Sequence, residues 1–152
     1  MRHALHIALA LTLLMPLGVA CAAPIPAADY ATAMARLDAI ETRMDKTRAA
    51  LATGLAPNDA QSLAPQLAED LAWLRRTKIT AARLDVTPTP TRNLTPERLR
   101  ARCLVMRTGL LDPALQDLAT NASLKARGAS DETLIPASAS PAIPPTPLAC
   151  RP

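Results

Sequence analysis

Side chains that could carry out acid–base or nucleophilic chemistry are scarce in this chain. Both histidines, His3 and His6, lie within the first six residues. The sequence also predicts that these residues belong to an export signal that is removed by cleavage. Without them the mature chain has no imidazole, which most catalytic triads and most zinc sites require. We therefore expect no metal, no cofactor and no enzymatic activity.

Paired carboxylates are the remaining route to hydrolysis, because two of them facing each other across a cleft can act as acid and base. The candidates are Asp38, Glu41, Asp45, Glu69 and Asp70. Glu69 and Asp70 are adjacent, so on a helix their side chains point apart. Neither they nor the later pair Asp131–Glu132 has the aromatic platform that sugar clefts normally show. A small carboxylate-dependent hydrolase is an alternative function.

The cysteines Cys21, Cys103 and Cys150 are the other reactive groups. Cys21 lies at the end of the export signal, which leaves two cysteines in the rest of the chain. Two are too few for a zinc site built from thiolates, whereas a disulfide is the usual state of such a pair in an exported protein. We predict a disulfide between Cys103 and Cys150.

Positive charge is concentrated between Arg75 and Arg107. This stretch contains nine arginines and lysines and only two carboxylates, Asp85 and Glu97. Clustered charge attracts anionic partners. We predict contacts with a protein partner or an anionic envelope surface through Arg75, Arg76, Arg98 and Arg102. Nucleic acid is not expected, because the protein is exported and the stretch lacks interleaved aromatic residues for base stacking.

Residues 1–22 have the order of a signal peptide. Met1–His3 is positively charged, Ala4–Leu14 is an apolar run, and Met15–Gly18 breaks the helix ahead of the small residues. The apolar run is shorter than the ~20 residues that a helix needs to cross a bilayer, and no later segment is apolar enough to span one. The sequence therefore predicts export to the periplasm or the medium, and its richness in Ala, Arg, Pro and Leu favours a bacterial source.

Two forms of processing fit the end of this signal. Small residues on both sides of Cys21 form an A-x-A cleavage pattern, which would make Ala23 the first mature residue. Alternatively, the segment 17–21 resembles a bacterial lipoprotein signal, and Cys21 would then carry a lipid. Because Gly18 stands where that motif usually has Leu, we favour soluble export. The intact mass of the exported protein distinguishes the two forms.

Hydrophobic periodicity predicts two amphipathic helices in the first half of the mature chain. Apolar residues recur at three- and four-residue steps across residues 29–53, and Gly54 is a suitable end. A second stripe, which begins after Asn58 or Asp59, consists of Leu63, Leu67, Leu71 and Leu74. The alternating Thr and Pro residues within 86–94 then predict an extended linker.

Two start signals predict two further helices. Thr95 is a suitable N-cap with Pro96 at the first helical position, and this third helix is expected to end at Gly109. The pair Asp112–Pro113 repeats the signal and predicts a fourth helix that ends at Gly128. The expected fold is an all-α bundle of about four helices within residues 23–128.

Residues 129–152 form a tail rich in Ser, Ala and Pro, which is too weakly hydrophobic to order itself. A disulfide at Cys150 would tie this tail back to the bundle. The sequence as a whole predicts an exported, non-enzymatic helical protein that binds a partner in the bacterial cell envelope, as an adaptor or as an inhibitor or immunity-type factor. A lipoprotein with a structural envelope role, anchored through Cys21, is a further alternative. Nothing in the sequence specifies an oligomeric state.

Overall fold

Three α-helices make up the computed structural model, which describes residues 25–85, 90, 93–136 and 150. Their bounds are Ala27–Ala52 for α1, Pro57–Ala82 for α2 and Pro96–Ala126 for α3, followed by a single 3-10 turn at Asp131–Thr133. These residues include no β-strand, and none of their helices is long and apolar enough to cross a membrane. The predicted signal peptide, Cys21 and most of the predicted linker lie outside the described residues.

The helices run up, down and up, as the contacts between them show. Arg102 on α3 binds Asp85, which lies three residues after the end of α2, and Arg75 on α2 binds Asp112 further along α3. Helices α2 and α3 are therefore antiparallel. Arg100, in the first turns of α3, binds the carbonyl oxygen of Ile25 just before α1. The first and third helices are therefore parallel.

Buried residues on α3 recur at alternating three- and four-residue steps, the spacing of one face of a helix. They include Ala101, Leu104, Thr108, Leu111, Leu115, Leu118 and Ala122. Several of these, like Ala60 and Ala81 on α2, are small and almost fully buried. Small side chains bury little area each but let helix backbones approach closely, and α2 and α3 form the most extensive helix pair.

The structure has one helix where the sequence predicts a third and a fourth. Gly109 and Pro113 both lie inside α3, which continues to Ala126. Ending the helix at Gly109 would interrupt the buried stripe, and each leucine in such a stripe contributes about 2 kcal/mol by burial. An internal proline costs about 3 kcal/mol, so burial of several leucines on both sides outweighs the local stop signals. Gly54 and Gly128, by contrast, follow helix ends with φ of 91° and 81° as predicted.

Replacing Pro113 with alanine is expected to raise the free energy of unfolding by about 2 kcal/mol, because a donor for the carbonyl of Gly109 is restored in an uninterrupted helix. Pro113 is exposed, so the change leaves no cavity. Urea denaturation followed by circular dichroism measures the effect. Pro57→Ala is the matched control, since proline at the first position of α2 is tolerated and its loss should change stability little. A Pro113→Ala protein of unchanged or lower stability would contradict this account.

The first residues of the predicted tail contact the bundle. The side-chain amide of Asn121 accepts a hydrogen bond from the N–H of Ile135 at 2.8 Å and donates one to its carbonyl oxygen at 2.9 Å. Lys125 forms an ion pair with Asp131 at 2.6 Å. Segment 129–136 is thus held against the end of α3, and the rest of the tail apart from Cys150 lies outside the described residues.

Cys103 and Cys150 lie at disulfide distance, with their Cα atoms 5.4 Å apart. The hydroxyl of Tyr30, on the first turn of α1, donates a hydrogen bond to the carbonyl oxygen of Cys150. Burial raises the pKa of Tyr30, an effect that the nearby Arg107 and Arg100 partly oppose. This cluster joins α1, α3 and the C-terminal part of the chain at one end of the bundle.

Candidate binding surface at the basic end of the bundle

The four arginines predicted as partner contacts fall into two groups, and the first group holds α2 and α3 together. Arg75 donates to a carboxylate oxygen of Asp112 at 3.0 Å and also to Gln116. Arg102 donates two hydrogen bonds of 2.8 Å to Asp85. The hydrogen bonds from Arg102 hold the pKa of Asp85 below its usual value. Both arginines are therefore engaged within the protein.

Arg76 and Arg98 line two grooves that meet at Ile25 and Pro26. The first, which we call the Trp73 groove, has a volume of about 570 Å³, lies between the start of α1 and the second half of α2, and includes Arg76. The second has a volume of about 540 Å³ and includes Arg98 and Arg100 at the start of α3. We call this surface, defined by Ile25, Pro26, Arg76, Arg98 and Arg100, the basic end.

Local sequence signals position the second groove. The Thr95 hydroxyl accepts a hydrogen bond from the backbone N–H of Arg98 at 3.4 Å and so caps α3, as predicted. The backbone N–H of Glu97, followed by the Thr95 hydroxyl, keeps the pKa of Glu97 below its usual value. The Arg100 guanidinium donates to the Ile25 carbonyl oxygen at 3.1 Å, which fixes the entry of α1 against α3.

The only tryptophan of the chain, Trp73, forms part of the wall of the first groove. The guanidinium of Arg36 lies 4.6 Å from the centre of its ring, a cation–π contact that favours one ring position. Arg36 is itself 3.6 Å from Glu69. Trp73 was not a predicted site residue, because the sequence shows only that it lies beside the leucine stripe of α2.

The carboxylates required by the hydrolase alternative are all ion-paired with arginines. Asp38 and Glu41 converge, but on the buried guanidinium of Arg107 rather than across a cleft. Burial lowers the pKa of Arg107, but hydrogen bonds from the guanidinium to these two carboxylates outweigh it and leave the pKa raised. The remaining pairs are Asp45 with Arg48, Glu69 with Arg36, and Asp70 with Arg43.

The groove at the opposite end of the bundle contains more carboxylates than cations. This third groove has a volume of about 370 Å³, and its charged residues are Arg48, Asp117, Asp131 and Glu132. Among the described residues, no group of three or more His, Cys, Asp or Glu side chains could hold a metal ion. The two grooves at the basic end, by contrast, present arginines, threonine hydroxyls and apolar side chains to a ligand.

Comparison with known proteins yields no match for this chain among protein-family models, curated proteins or solved structures. The structure defines a small all-helical bundle. The function must therefore be argued from the surface itself, since a fold by itself does not determine a function.

Proposed function

We propose that this chain is an exported, non-enzymatic binding protein of the bacterial cell envelope that docks an acidic partner protein onto its basic end. The observation that carries the proposal is the placement of Arg76 and Arg98. These residues belong to different helices, yet each lines a groove that borders Ile25 and Pro26. Arginines from two helices therefore line adjacent grooves at one end of the molecule, and the second groove has an excess of positive charge.

Charge polarity supports the choice of this end. The second groove contains Arg98 and Arg100 against Glu97, whereas the groove at the far end contains three carboxylates and one arginine. Opposed charges at two ends orient an approaching acidic protein and speed its association. An adaptor and an inhibitor or immunity-type factor both act in this way, by occupying a surface of the partner.

The lipoprotein alternative would bring the same end to a membrane. Cys21 lies four residues before Ile25, so covalent geometry limits the separation of their Cα atoms to about 14 Å. A lipid on Cys21 would then keep the basic end close to the headgroups. In that case the partner would meet the protein at the membrane surface.

Capture from a cell-envelope extract, with the chain immobilised through the loop between α1 and α2 at the far end of the bundle, tests the proposal. The variant Arg76→Glu/Arg98→Glu is expected to lose a partner that the unchanged chain retains, and retention should weaken as salt rises because the screening length shortens. Mass spectrometry should identify that partner as an acidic protein.

The matched control is Lys46→Glu/Arg127→Glu, which makes the same change in net charge at exposed positions away from the basic end. It should retain the partner, and circular dichroism should show both variants to be folded. Equal capture by the two variants, or equal loss in both, would contradict docking at the basic end.

A further inference from the structure

We propose that the Trp73 groove binds an extended peptide segment of the partner that carries a carboxylate for Arg76, a cation for Asp29 and an apolar side chain for Trp73. The inference rests on the proposed function and names the chemistry that the groove recognises. Four features of the described residues carry it: two charged side chains without an ion pair, two hydroxyls without a hydrogen bond, an aromatic ring in contact with Arg36, and the shape of the groove.

Two charges of opposite sign stand on opposite walls of the groove. Arg76 belongs to α2 and Asp29 to the first turn of α1, and both line the groove. Within the described part of the chain, neither side chain forms an ion pair. Arg75, next in sequence to Arg76, binds Asp112 instead. The groove therefore offers a ligand one cation and one carboxylate, both exposed and neither ion-paired within the described residues.

The threonine hydroxyls point to a ligand with its own hydrogen-bonding groups. A helical threonine commonly donates to the carbonyl oxygen four residues earlier. Those that do so here are Thr32, Thr42, Thr47, Thr108 and Thr120. Thr77 and Thr80 differ, since neither side-chain hydroxyl has a hydrogen bond within the described residues, and both residues line the groove. A hydroxyl donates and accepts, so it suits the N–H and C=O groups of a peptide backbone.

The spacing along α2 places these groups in one row. Trp73, Thr77 and Thr80 recur at steps of four and three residues, which is one face of a helix, and Arg76 lies beside them. The guanidinium of Arg36 contacts one face of the Trp73 ring. An apolar side chain of the ligand can pack on the ring while polar groups follow the row.

The shape of the groove favours an extended chain. Its volume of about 570 Å³ is within the roughly 300–1,000 Å³ that is usual for ligand sites. Its lining residues come from 25–33 at the start of α1 and from 73–81 of the antiparallel helix α2, with Leu104 of α3. A segment of a few residues can lie in such a groove while the rest of the partner contacts Arg98 in the neighbouring one.

Fluorescence of Trp73 tests the inference directly, since the chain has no other tryptophan. The probes are the blocked peptides Glu-Leu-Ala-Lys and Lys-Leu-Ala-Glu, titrated to millimolar concentrations, with Gln-Leu-Ala-Gln as the uncharged comparison. At least one charged peptide should give a saturable change in emission, and the uncharged peptide should bind about tenfold more weakly or not at all. Arg76→Gln and Thr77→Val/Thr80→Val should each weaken binding severalfold without changing the thermal midpoint.

Two results would overturn the inference: no saturable change with either charged peptide, or an equal change with the uncharged one. Saturation by phosphatidylglycerol vesicles in place of the peptides would overturn it too, and would assign the groove to a membrane surface. The outcome is separable from the proposed function. If Arg98→Glu abolishes capture of the partner while the peptides leave Trp73 unaffected, the groove inference fails and docking at the basic end stands. If the peptides bind but no partner is captured, the groove inference stands and docking of a partner at the basic end fails.

Discussion

Replacing both bonded cysteines, as Cys103→Ala/Cys150→Ala, is expected to lower the free energy of unfolding by about 4 kcal/mol. The two residues are 47 apart in sequence, so the bond removes the entropy of a long loop from the unfolded chain. Domains of this size have unfolding free energies of roughly 5–15 kcal/mol, which makes the expected loss a large share of the total. Urea denaturation of the oxidised, reduced and substituted proteins measures it.

Tyr30 gives a local readout of the same change, because it is the only tyrosine in the chain. In the intact fold its pKa is raised, chiefly by burial, so the unfolded chain ionises first. Its contribution to stability is therefore constant below about pH 10 and declines above it. With the cysteines replaced, absorbance near 295 nm should show Tyr30 ionising closer to its ordinary pKa. Tyr30→Phe is the control, since it removes only the bond to Cys150 and should cost about 1 kcal/mol. A stability unchanged by cysteine replacement would refute the bond.

Arg43→Met is expected to destabilise the protein by about 3 kcal/mol, because it leaves the carboxylate of Asp70 buried without its cation. The side chain of Asp70 is 8 % exposed, and Arg43 on α1 is its ion-pair partner. Thermal and urea unfolding at neutral pH measure the loss. The effect comes from the buried charge that remains, since an exposed ion pair contributes little.

Two further variants distinguish the effect of an unpaired buried charge from the effect of losing an ion pair. Arg48→Met breaks an ion pair on the same helix whose partner, Asp45, is 68 % exposed, and it should cost less than about 0.5 kcal/mol. Arg43→Met/Asp70→Leu removes both members of the buried pair, and stability should return close to that of the unchanged protein. Similar losses in Arg43→Met and Arg48→Met, or a double variant no better than the single one, would show that burial of Asp70 does not control the effect.

Much of the helical structure follows from the sequence alone. The periodic stripe over residues 29–53 corresponds to α1, observed at Ala27–Ala52, and Thr95 caps α3 as predicted. Gly54 ends α1 with a positive φ, as a C-terminal glycine does. These features are local, because periodicity, capping hydroxyls and a positive φ depend on neighbours within one or two turns. The pairing of Cys103 with Cys150 followed from elimination, since only two cysteines remained after the predicted export signal.

Tertiary packing decided the rest. Gly109 and Pro113 carry correct local signals for a helix end and a helix start, yet both lie inside α3 because burial of the leucines around them outweighs the cost of one proline. The partners of the arginines, like the bounds of α3, could not be predicted from local sequence. Sequence position groups Arg75 with Arg76, but a step of about 100° around α2 gives them different surroundings: Arg75 binds Asp112, and Arg76 lines the Trp73 groove. A sequence fixes the number of charges, whereas the carboxylate that neutralises each one depends on which helices lie side by side.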